Sequence, residues 1–252
     1  MKARDSIFTP RNVTEFRYPE SDGKPLAETD EHRDIILHLI AALKLWFRSR
    51  PKVYVTGNIM LYWVEGDSNQ KVSPDVFVVK GVESGDRRVY RTWVEGKGPT
   101  VVIEVTSLGT KGEDLGWKRE LYQDVLRVKE YYLYDPLREY VPHRLRAWDR
   151  RGTRLVERQV SEGRTRSREL GLELIDVKGR LRLLDPASGR VLPDLLESEA
   201  ARAQAEAAQT GAEAARTEAE AARTEAEAAQ ARVEEENRRL REEIDRLRRH
   251  GL

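Results

Sequence analysis

Two short stretches carry acids where an acid is costly. Ser73-Pro74-Asp75-Val76-Phe77-Val78-Val79 and Val101-Val102-Ile103-Glu104-Val105-Thr106-Ser107 are runs of mainly β-branched residues that read as strands covered on both faces. An uncompensated carboxylate there costs on the order of several kcal/mol, so a cation is the expected compensation. Two inward carboxylates on adjacent strands make a metal site. Taken singly, each has an ordinary alternative: Asp75 capping a turn after Pro74, and Glu104 pairing with a core arginine. A third residue joins them from Gly112-Glu113-Asp114-Leu115-Gly116-Trp117-Lys118-Arg119-Glu120-Leu121-Tyr122, which reads as a helix with Asp114 near its start. Leu115, Leu121 and Tyr122 form its apolar stripe, and Lys118 falls on that stripe. A lysine facing two carboxylates can hold a phosphate oxygen, or lose its proton and steer a water. Its alternative is a stem laid over apolar surface with the ammonium in solvent.

The order Pro74-Asp75, Glu104-Val105-Thr106-Ser107, Asp114 and Lys118, then Glu130-Tyr131-Tyr132-Leu133-Tyr134-Asp135-Pro136 resembles the Uma-two family of restriction-endonuclease-like proteins. That family is a branch of the PD-(D/E)xK nuclease superfamily. The resemblance spans roughly residues 15 to 195 and extends to the tail. It implies an α/β (α+β) fold with a restriction-endonuclease-like mixed central sheet flanked by helices. It also implies a magnesium-dependent centre that cuts DNA phosphodiester bonds, with Mn2+ as a substitute. Carried over, Asp75 and Glu104 are metal ligands and Lys118 is the catalytic lysine; the Val105 carbonyl is a further candidate ligand. The chain departs from the superfamily at Thr106, which stands two residues after the acid where the lysine usually lies. The resemblance to this branch moves that lysine to the helix, as Lys118.

Charged residues make up 35% of the chain and aromatics 7%, and the imbalance is local. Every aromatic lies at or before Trp148, whereas the end is Ala, Glu, Arg and Gln, so the aromatics mark the globular part. The chain has no cysteine, which excludes disulfides and thiolate chemistry and fits a reducing compartment. No apolar stretch approaches the roughly 20 residues of a membrane span, and no secretory signal layout is visible, so a cytoplasmic protein is expected. The net charge of +1 makes the distribution of arginines the relevant quantity for DNA. One cluster is Arg87, Arg88 and Arg91. The other runs from Arg144 through Arg146, Arg150, Arg151, Arg154, Arg158, Arg164 and Arg166 to Arg168. Either could track a backbone or form a solvated sheet face.

The elements that position the three residues follow in order. Residues 1–27 read as an N-terminal arm that rests on the core through Phe16 and Tyr18. Thr29 or Asp30 caps a first helix with apolar Ile35, Ile36, Leu39, Ile40, Leu43 and Phe47 at helical spacing, ending before Pro51. Glu31 favours its positive end, and His32 is read as a surface or capping contact. Val53 to Trp63 alternates as one long strand bent near Gly57-Asn58, and Val72 to Val79 returns beside it. A charged loop from Gly81 to Gly98 is a place for substrate contacts. Strand Thr100–Val105, the helix with Lys118, and strand Lys129–Asp135 make a crossover. Short strands at Leu145–Trp148 and Leu155–Val160, then a hairpin of Leu172–Leu174 with Leu181–Leu184, pack on the core and close the nuclease-like domain at 28–195.

Residues 196–252 read as one long C-terminal helix with a seven-residue repeat, Thr217-Glu-Ala-Glu-Ala-Ala-Arg223 followed by Thr224-Glu-Ala-Glu-Ala-Ala-Gln230. An alanine seam through 212, 215, 219, 222, 226 and 229 reaches Val233 and continues as Asn237, Leu240, Ile244 and Leu247, with a stutter at Val233. That spacing predicts a coiled coil and a homo-oligomer, against the alternative of a lone helix held by i,i+4 charge pairs. Two other functions stay open: an inactive nuclease fold that assembles through its coiled coil, and a carboxylate-pair glycosidase, for which no aromatic sugar platform is visible.

Overall fold

The computed structural model describes residues 17–21, 23 and 29–249. The chain divides into two compact units, Met1–Asp194 and Leu195–Leu252. The arm assigned to residues 1–27 falls largely outside the described residues, Phe16 included. Tyr18 is described, and its ring packs against Tyr62 and Trp93 with centroids 4.9 and 5.4 Å apart.

In the first unit, α1 (Asp30–Trp46) opens on Thr29, whose hydroxyl accepts the His32 N–H at 3.2 Å. Then follow β1 (Val53–Thr56), β2 (Leu61–Tyr62), β3 (Lys71–Val72), β4 (Val76–Lys80), β5 (Tyr90–Arg91), α2 (Thr92–Glu95) and β6 (Val101–Val105). After β6 come α3 (Lys111–Leu115), α4 (Trp117–Glu120), a π-helical turn at Leu121–Val125 and β7 (Glu130–Tyr134). The rest is β8 (Leu145–Arg151), β9 (Arg154–Arg158), β10 (Arg164–Ser167), β11 (Leu172–Val177), β12 (Arg180–Asp185) and β13 (Arg190–Val191).

The central sheet has the order β1-β4-β6-β7-β8-β9 and is mixed: β6 and β7 run parallel and every other pair is antiparallel. The parallel step needs a crossover, and α3 with α4 supplies it. Because side chains alternate along a strand, the sheet feeds two cores. Val76, Val78, Val101, Ile103 and Tyr132 face α1, which also packs against Leu172, Leu174, Leu181 and Leu183 of the second sheet, β10-β11-β12-β13. Phe77, Val79, Val102, Tyr131, Leu133 and Trp148 face the other way, onto Tyr122 and the small β3-β2-β5 sheet. The α+β class with a mixed central sheet is therefore as expected, and the late strands pack on the core.

Several elements differ from the sequence reading. The single strand expected from Val53 to Trp63 is broken: β1 stays in the central sheet and β2 leaves it for the small one. The cause is Gly57, where a Cβ would lie 1.9 Å from the Asp75 carbonyl oxygen, so the chain passes against a neighbouring backbone. Asn58 follows with φ of 52° and donates its N–H to Pro74 O at 2.9 Å. The return strand is likewise split into β3 and β4, with Asp75 in the gap. The helix expected over 112–122 is cut at Gly116, whose ψ of −113° is non-helical. The loop at 81–98 contains β5 and α2, and β10 has no counterpart in the sequence reading.

The second unit is one helix, α5 (Leu195–Arg249), 55 residues long. Arg202–Glu206, Arg216–Glu220 and Arg223–Glu227 pair at i,i+4, and the Asn237 side chain donates to Val233 O at 3.0 Å. Val233, Leu240 and Ile244 are exposed along it. Among the described residues no helix is long and apolar enough to cross a membrane.

Candidate active site

The β4–β6 register brings the first two acids together. Val76 pairs with Ile103 and Phe77 with Val102, so one step further sets Asp75 opposite Glu104 on the same face. At that point side chains replace the ladder. The Asp75 N–H donates to Glu104 Oε2 at 3.1 Å, and the Val105 N–H donates to Asp75 Oδ2 at 2.8 Å. Each carboxylate is thus anchored on the other's strand.

Lys118 arrives from α4. Its ammonium lies 2.7 Å from Asp114 Oδ1, one turn earlier, and 3.4 Å from Glu104 Oε1. The Tyr122 hydroxyl donates to that same Glu104 oxygen. The lysine points inward, with its side chain 8% exposed and Glu104 fully buried. Tyr131 O–H donates to the Asp114 carbonyl at 2.9 Å and ties the end of α3 to β7. Thr106, two residues after Glu104, is buried and its hydroxyl has no hydrogen-bond partner among the described residues.

Three carboxylates, Asp75, Glu104 and Asp114, therefore face one ammonium. Burial pushes the Glu104 carboxyl well above the usual carboxylate range; Lys118 opposes that, while Asp75 and Asp114 add to it. Asp114 is raised for the same first reason, burial, against the pull of Lys118. Burial also works against the charge of Lys118, but Glu104, Asp114 and Asp75 outweigh it and hold the ammonium protonated beyond its ordinary range. Lys118 is accordingly a fixed positive charge.

With all three carboxylates ionised, the cluster would carry two negative charges in excess of Lys118, a balance that a divalent cation meets. Among the described residues, however, no three His, Cys, Asp or Glu side chains are gathered as a ready metal site. Asp75 offers the access: its side chain is 15% exposed, more than any other member. A cavity of about 690 Å³ between Arg144, Arg146 and Arg158 includes none of these carboxylates.

Sequence reasoning passed over three groups that the fold brings here. From sequence, Asp114 stands near a helix start without a role, although its i,i+4 spacing to Lys118 is a pairing signal. Tyr122 reads there as a packing residue alone. His32, read as a surface or capping contact, is instead buried and faces Asp75 with Nε2 3.6 Å from Oδ2, because α1 packs across the β4 and β6 face. Half of the clustered arginines are ion-paired: Arg87 with Glu95, Arg88 with Glu20, Arg144 with Asp176, Arg146 with Glu157, Arg158 with Asp149 and Arg164 with Glu173.

A family model, Uma2, described as "Putative restriction endonuclease", matches residues 10–178 and so includes every residue of this cluster. The chain belongs to the Uma2 family. Among solved structures, the Uma2 chain is similar to one described as a "putative nuclease belonging to DUF820 from Anabaena variabilis ATCC 29413". The two share 10% identity over 58% of this chain and 76% of that one, with a TM-score of 0.43. No curated protein matches.

Proposed function

We propose that this Uma2 protein is a cytoplasmic, metal-dependent endonuclease that hydrolyses DNA phosphodiester bonds at Asp75, Glu104 and Lys118, and that it works as a homo-oligomer joined through α5. The observation that carries the reading is the pair of buried carboxylates, Glu104 and Asp114, around Lys118, next to the partly open Asp75. Asp75 and Glu104 are the residues to hold the ion, with the Val105 carbonyl beside them, and oxygen donors of this kind suit Mg2+, with Mn2+ as a substitute.

When bound, the ion supplies Lewis-acid polarisation of a phosphoryl oxygen. The protein does the rest. Lys118, kept protonated by its acidic neighbours, binds a non-bridging phosphate oxygen and stabilises the charge that develops on it. Asp114 and Glu104 hold that ammonium in place, and Tyr122 holds Glu104. Asp75 and Glu104, fixed by backbone N–H groups from each other's strands, need no reorganisation to orient a ligand.

A second reading, a nuclease fold kept for assembly without turnover, draws on the close engagement of Lys118 by Asp114 and on Thr106 at the usual lysine position. Plasmid nicking with Mg2+ decides between them. Nicking lost in Asp75→Ala and Glu104→Ala supports the enzyme; DNA binding without cutting by the intact chain selects the second reading.

A further inference from the structure

His32 is buried beside the carboxylates and has no part in the chemistry proposed above. It sits in the first turn of α1 with its side chain 6% exposed, and among the described residues neither ring nitrogen has a hydrogen-bond partner. Buried polar atoms are nearly always matched, and an imidazole carries a donor or an acceptor at both nitrogens. The 3.6 Å from Nε2 to Asp75 Oδ2 is too long for a hydrogen bond between them. It suits two donors facing one guest. With bonds of about 2.1 Å, a single ion spans donors up to about 4.2 Å apart, so this gap needs no movement of the backbone. Oδ2 is already oriented by the Val105 N–H, and Glu104 Oε2 accepts the Asp75 N–H. The position of His32 is equally determined, by the Thr29 cap at its backbone and by the burial of Ile35 and Ile36 in the turn that follows.

We propose that His32 is a direct ligand of the ion held by Asp75 and Glu104, and that the site therefore takes a transition-metal ion more tightly than Mg2+. The inference rests on the metal site of the nuclease reading and specifies its cation. The reason is chemical. Mg2+ selects oxygen donors and parts reluctantly with its waters, whereas imidazole nitrogen binds the later divalent ions of the first transition row.

The test is a titration of the full chain with Co2+, followed by its visible absorption, with Mg2+ as competitor. The wild-type protein is expected to bind Co2+ more tightly than Mg2+. His32→Ala is expected to lose at least about tenfold in Co2+ affinity and to change the absorption band, since even an outer partner of a metal ligand contributes that much. Its Mg2+ affinity should fall by less, so that the Co2+ to Mg2+ ratio drops. If His32→Ala does not fold, His32→Gln, which keeps most of the bulk, is titrated in its place with the same expectation. An unchanged Co2+ band and an unchanged Co2+ to Mg2+ ratio would overturn the inference and leave the nuclease reading intact, provided Asp75→Asn still abolishes metal binding and nicking. Absence of saturable binding of either ion by the wild-type chain would overturn both.

Discussion

The Asp75 N–H donates to Glu104 Oε2 at 3.1 Å, so the acid of one strand end is held by the backbone of the other. The arrangement orders both carboxylates before any ligand arrives, and it depends on how closely the neighbouring chain approaches Asp75.

That approach is made by Gly57. A methyl group there would lie 1.9 Å from the Asp75 carbonyl oxygen and 2.9 Å from the Ile40 side chain. Gly57→Ala is expected to cost ~1–3 kcal/mol in denaturant unfolding, as overpacking does. Nicking should fall by about 100-fold, because a small displacement of Asp75 spoils the site. Full nicking by Gly57→Ala would show that the close approach does not set the acid's position.

Lys118 is tied to two buried carboxylates, so removing it leaves them without a cation. Lys118→Met should destabilise the protein by about 3–5 kcal/mol and abolish nicking. Adding Asp114→Leu to Lys118→Met should recover part of the stability and none of the activity. Recovery of nicking in the double variant would take Lys118 out of the chemistry.

The raised Glu104 and Asp114 carboxyls make stability depend on pH with a definite sign. In the folded state they keep protons that the unfolded chain has already released. Their contribution is present below the ordinary carboxylate range and is lost as pH rises through the raised values. Without metal, the melting temperature should therefore fall as pH rises above the ordinary carboxylate range, and Glu104→Gln, which is never charged, should flatten that fall. A steeper fall in Glu104→Gln would mean that Glu104 is not the group responsible.

Along α5, Val233, Leu240 and Ile244 are exposed on a single helix whose sequence repeats every seven residues. Pairing with a second copy would bury them. Replacing Leu240 and Ile244 by Glu together should reduce the mass seen by light scattering to that of one chain and lower the helix signal in circular dichroism. A wild-type protein that is already monomeric at micromolar concentration would remove the oligomer from the proposal.

Much of the architecture was open to reading before any coordinates. The first helix was legible because Thr29 and the spacing of Ile35, Ile36, Leu39 and Leu43 are local signals, and the 55-residue tail helix was legible from alanine, glutamate and a short repeat. The strands holding Glu104 and following Asp75 were legible as unbroken β-branched runs. The breaks at Gly57 and Gly116 were not. The first is forced by a backbone 18 residues away, and the second rests on a backbone conformation of Gly116 in which a Cβ would lie 2.7 Å from Gly112 O.

What the sequence by itself determined is the set of groups, two acids in apolar runs and a lysine on an apolar helix face, because burial and charge in such places are written in local residue type. Only the tertiary structure decided their partners. The register that opposes Asp75 to Glu104, the hold of Tyr122 on Glu104, and the inward turn of His32 come from contacts between separate segments, whose geometry no local spacing specifies.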